Sequence, residues 1–80
     1  MPLFFFDVRD DQEIIDDVGS EFPNVHAARA AAIKLLPDLA RDCKDVANGH
    51  EISVTMRNEV GEYIFMASLT LNAKWLGGSA

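Results

Sequence analysis

The sequence predicts an α+β domain, a β-β-α-β-β chain forming a four-stranded antiparallel sheet with one helix packed on one face. Three patterns carry that expectation. Ile52, Val54 and Met56, then Phe65, Ala67 and Leu69, alternate with polar or oppositely facing residues, the period of two of half-buried strands. Val25, Ala28, Ala32, Leu35, Leu36, Leu39 and Cys43 recur at helical spacing and form one apolar stripe. Ahead of them, an aromatic run and a second β-prone run flank a polar turn, which reads as a hairpin.

Strand one is expected over residues 3–9 and strand two over 13–18, joined by Asp10-Asp11-Gln12 and closed by Gly19-Ser20. The Asp pairs are poor strand formers and weaken this hairpin. Asn24 suits an N-cap, and the alanine run from Ala27 to Ala32 gives high helix propensity. Pro37 lacks an amide hydrogen and its ring clashes with the carbonyl of Ile33, so the helix either kinks there or ends near Leu36 before a second turn; the stripe continuing in phase through Leu39 and Cys43 favours one kinked helix. Asn48-Gly49 supplies the stop, with Lys44 in the last turn. Strand three runs over 51–57, and Asn58-Glu59-Val60-Gly61 turns with Gly61 at positive φ. Strand four starts at Tyr63 and extends towards Trp75. Strand order 2-1-3-4 makes every neighbouring pair antiparallel and centres the apolar residues 3–6. Order 2-1-4-3 is the alternative and would make strands one and four parallel. Residues 1–76 form one domain, and 77–80 a flexible tail.

Charge is unevenly placed. Residues 1–21 hold seven acids and one base, Arg9, so the whole net charge of −6 lies in the first hairpin. Binding to nucleic acid usually calls for a basic stripe, so that partner is disfavoured. The single cysteine, Cys43, rules out an internal disulfide and a thiolate cluster. With no basic leader and no apolar run of ~20 residues, the expected location is cytoplasmic and not in a membrane.

Chemistry-bearing motifs are missing. Asp7, Asp10, Asp11 and Glu13 contain the oxygens that hard cations prefer, yet they do not match a calcium-binding loop, and solvated acidic surface is the simpler account. His26 and His50 have no carboxylate or nucleophile paired with them by motif. Cys43, at the end of the helical stripe, reads as core. Arg29, Lys34, Arg41 and Lys44 are interspersed with Asp38, Asp42 and Asp45 as a solvated helix face, with Arg41 and Asp45 spaced for pairing. The expectation is therefore no enzyme, no cofactor and no metal.

One surface stands out. Strand one is apolar on both faces, with Phe4, Phe6 and Val8 on one side and Leu3 and Phe5 on the other. Ile64 and Met66 lie on the side of strand four opposite Phe65, Ala67 and Leu69. One helix covers one face, so Leu3, Phe5, Ile64 and Met66 are the candidate interaction surface. The function expected is a small non-enzymatic interaction module, homodimerising through that face in its simplest form or meeting an unidentified protein partner. The alternative is a small-ligand or cation-binding domain that uses the acidic hairpin.

The segments Pro2-x-Phe4-Phe5-Phe6-Asp7-Val8, Asp16-Asp17-x-Gly19-x-Glu21 and Ala27-Ala28-Arg29-x-x-Ala32 resemble a family of short bacterial proteins. That family is classed only as a domain of unknown function and is common in soil-dwelling alphaproteobacteria. Its pattern is an aromatic-Phe-Phe-Asp opening, an acidic-Gly segment, an Ala-Ala-Arg helix and a closing hairpin, covering residues 2–75 here. The resemblance implies a cytoplasmic location and a compact α+β fold, and it supplies no activity, cofactor or catalytic residue. Pro37 departs from the family's unbroken helix.

Overall fold

A computed structural model describes residues 1–10, 12–42 and 49–77. The expectations placed on Asp11, Cys43, Lys44, Asp45, Asn48 and most of the tail lie outside them. The chain is α+β, in the order β1 (Leu3–Arg9), β2 (Glu13–Ile14), β3 (Ser20–Glu21), α1 (Val25–Asp42), β4 (His50–Arg57) and β5 (Tyr63–Leu71). All described pairings are antiparallel: the sheet follows the path β2-β1-β4-β5, and β3 also pairs with β1.

The expected four strands become five because only Glu13–Ile14 of the expected strand two (13–18) is strand, and Ser20–Glu21, beyond its expected close, forms β3. β2 pairs with β1 at Val8↔Ile14 and β3 at Phe4↔Ser20, so residues 15–19 lie opposite only residues 5–7. Two extra residues preserve the alternation of faces, since a shift of two returns every side chain to its original side. The break has a chemical cause. The Phe6 amide donates to Asp16 Oδ2 at 3.1 Å, a bond that an unbroken ladder would give to backbone. Order 2-1-4-3 does not occur, because strand one (β1) pairs with the expected strand three (β4), antiparallel, over Phe5↔Arg57 to Arg9↔Ser53, and the expected strand four (β5) lies outside it.

The helix is one element through Pro37. Asn24 caps it, its Oδ1 accepting from the Ala27 amide at 2.9 Å. The expected stripe is buried at Ala28, Ala32 and Leu36 and half-buried at Leu35 and Leu39, whereas Val25 at its start is exposed. The alanines bring α1 close to the sheet, where Ala32 and Leu36 pack on Ile52 and Val54, and Ala28 packs with Phe4 and Met56. Phe22 closes the N-terminal end, edge-on to Phe6 with ring centroids 5.8 Å apart.

The second hairpin turns as expected, with Gly61 at φ 86°. Asn58 organises the turn: its Oδ1 accepts from the Val60 and Glu62 amides at 3.1 and 2.9 Å. The register shifts beside Arg57, and β5 ends at Leu71, short of Trp75.

Candidate functional site: an arginine clamp on the open sheet face

The face of the sheet opposite α1 is built by the alternate residues of β1, β4 and β5. Pairing places Phe5 beside Arg57 and Tyr63 in one row, and Asp7 beside Thr55 and Met66 in the next. Asp7 sits within the aromatic strand and is buried. A buried carboxylate needs partners for its oxygens, and Arg57 provides them. Its Nε donates to Asp7 Oδ2 and its Nη2 to Asp7 Oδ1, both at 2.9 Å, a bidentate fork. Nη2 also donates to the Asp16 carbonyl at 2.7 Å. Beneath it the Phe5 ring lies 5.1 Å from the guanidinium carbon, within cation–π range.

Asp16 fastens the loop to this centre. Its amide donates to Asp7 Oδ1 at 3.1 Å. Its own Oδ1 accepts from Val18 at 3.1 Å and Gly19 at 3.0 Å, besides the Phe6 bond already described. The loop then passes so close to β1 that a Cβ on Gly19 would stand 2.8 Å from Phe5 Cε2. Gly19 also has φ 80°, so both its missing side chain and its backbone freedom are used.

The clamp sets its own protonation. The hydrogen bond from Arg57 holds the Asp7 carboxyl below the usual range against the opposing effect of burial, helped by the Asp16 amide. Burial pushes Asp16 up, but the amides of Gly19, Phe6 and Val18 together outweigh it and bring Asp16 below its ordinary value. The bond to Asp7 raises Arg57 further above its already high value.

The four residues of the expected interaction surface do not form one patch. Leu3 and Phe5 are half-buried on β1, with Phe5 covered by Gly19 and Arg57. Ile64 and Met66 are exposed on β5. β4 lies between the two pairs and presents Arg57 and Thr55. The apolar part of the open face is its β5 margin, where Tyr63, Ile64 and Met66 are 67%, 42% and 65% exposed.

Sequence reasoning missed the clamp because Asp7 and Asp16 read as solvated acids. The available signal was an Asp between Phe6 and Val8, in a strand that is otherwise apolar. It also missed a second contact, His50 Nε2 to Asp10 Oδ1 at 2.6 Å, which joins the turn after β1 to the start of β4. Arg41 pairs with Asp38 at 3.4 Å, in the open and exposed. Among the described residues no group of three His, Cys, Asp or Glu side chains is placed to hold a metal. No described helix is long and apolar enough to cross a membrane. Two shallow depressions of about 270 and 350 Å³ lie on the open face, around Asp7 and Thr55 and around Arg9 and Glu51.

The family model for a domain of unknown function, DUF6894, matches residues 3–70. No curated protein and no solved structure matches the chain.

Proposed function

The chain belongs to the DUF6894 family, and we propose that it is a small non-enzymatic interaction module that meets a protein partner through the sheet face opposite α1. The observation that supports this is the exposed apolar margin of Tyr63, Ile64 and Met66 beside a centre held rigid by Asp7 and Arg57. Exposed aromatic and thioether side chains next to a fixed polar platform suit an interface, where Tyr, Met and Arg are enriched.

Homodimerisation is the simplest form of this reading, and a cytoplasmic location belongs to it, resting on the lone cysteine. The alternative of a cation site in the acidic hairpin loses its two inner carboxylates, since Asp7 is engaged by Arg57 and Asp16 by three backbone amides. The depressions on the face fall at or near the lower end of the ~300–1,000 Å³ typical of small-molecule pockets.

Solution mass as a function of concentration tests the self-associating form. Wild type should associate, and Met66→Lys should weaken that association. A wild type that stays monomeric at millimolar concentration removes the homodimer and leaves only a different protein as partner.

A further inference from the structure

We propose that two copies of this chain join edge to edge through β5, antiparallel about Ala67, into one continuous sheet. This deepens the interaction reading by naming the partner as a second copy and the contact as the margin of the open face.

The two edges of the sheet differ in kind. One consists of β2 and β3, two residues each, interrupted by the loop over Phe5 and surrounded by acids. Short, broken, charged strands are how proteins keep an edge from pairing with another chain. The other edge is β5, nine residues long, and its sequence YIFMASLTL contains no charge and no proline. Its pairing with β4 is irregular only beside Arg57, and among the described residues no strand lies on its outer side. An unprotected edge of this length is a template for another strand.

The strand fits itself. Antiparallel pairing about Ala67 sets Phe65 opposite Leu69, Met66 opposite Ser68 and Ile64 opposite Thr70. Each pair shares a face, so the alternation of the sheet continues across the two-fold axis, where a small side chain stands. Leu69 and Leu71 share the face of the core positions Phe65 and Ala67, yet each is 42% exposed. The partner's Phe65 would cover Leu69. Above them, the Arg29 guanidinium carbon lies 5.5 Å from the Phe65 ring centroid, which places that side of α1 over β5. Ile33, one turn further along the same side, is an exposed apolar residue available to the partner's helix.

Electrostatics favour this edge over the β2 and β3 edge. The net charge of −6 resides in residues 1–21, on the opposite side of the sheet. Joining at β5 keeps the two acidic edges as far apart as the sheet allows.

Solution mass from micromolar to millimolar concentration, on three proteins, provides the test. Wild type should rise to twice the chain mass. Ser68→Lys puts a charge on the exposed edge and should raise the dimer dissociation constant by at least about tenfold, the equivalent of ~1.4 kcal/mol. Ser53→Lys, on the central strand of the same face, should leave it unchanged. Circular dichroism verifies that each variant keeps its helix. In the wild type, amides of residues 64–70 should exchange more slowly as concentration rises. A wild type that stays monomeric overturns the pairing and the homodimer together. Dissociation by Ser53→Lys as strong as by Ser68→Lys overturns the edge pairing alone and returns the contact to the open face. Amide exchange in β5 that is indifferent to concentration overturns it as well.

Discussion

Arg57 and Asp7 meet as a two-bond fork, 2.9 Å in each arm, across the central strands β4 and β1. The fork is the only bidentate arginine–carboxylate pair shown among the described residues, and it sits on the sheet face opposite α1. Replacing Asp7 by Asn removes the charge and half the acceptor capacity at nearly constant volume. Loss of a charge-assisted hydrogen bond to a buried group costs ~2 kcal/mol. Chemical denaturation should show Asp7→Asn destabilised by about that amount.

Acid should weaken the fold through the same two carboxyls. Asp7 and Asp16 titrate below their ordinary values in the folded chain, so the unfolded chain binds protons first as pH falls. The stability they contribute is fully present above the unfolded value of ~3.9 and is lost as pH drops through the folded values. Wild-type stability should therefore decline below about pH 4, with a shallower slope in Asp7→Asn. Equal slopes in urea melts across that range would count against the assignment.

Gly19 and Gly61 separate backbone strain from crowding. Both have positive φ, 80° and 86°, but a Cβ on Gly19 meets Phe5 at 2.8 Å and one on Gly61 meets nothing within 4 Å. Gly61→Ala should cost the ~1–2 kcal/mol of placing an L residue in the left-handed region. Gly19→Ala should cost that and more, and Phe5→Leu in the same chain should recover part of the excess. Similar losses for the two single variants would show that the loop does not rest on Phe5.

The helix cap offers a check free of the clamp. Asn24→Ala removes the acceptor for the Ala27 amide and should cost ~1 kcal/mol, read as a lower midpoint in urea.

Local patterns were legible where a single physical rule governed them. The alternation through Ile52, Val54 and Met56 set β4, and the cap at Asn24 with the alanine run set α1. Gly61 marked its turn because only one backbone region was suitable there. What escaped was non-local. Asp16 breaks strand two by taking the Phe6 amide, and nothing in residues 13–18 reveals that competition, because its other half lies in β1 and β4. The covering of Phe5 was hidden for the same reason, since Gly19 and Arg57 reach it from 14 and 52 residues away in the chain. The Phe-Phe-Asp opening and the acidic-Gly segment contain Phe5, Asp7, Asp16 and Gly19, which the fold brings together around Arg57. Of the four residues expected to form an interaction surface, Ile64 and Met66 are exposed, while Leu3 and Phe5 are half-buried across β4.

Asp7 and Asp16 of the opening hairpin tie β1 and the loop after it to β4 through Arg57. A double-mutant cycle tests this tie most directly, using the melting temperatures of wild type, Asp7→Asn, Arg57→Met and the double variant. Partners in one network predict a double variant about as stable as the less stable single variant. Losses that simply add would contradict the clamp and return Asp7 to the solvated acidic surface.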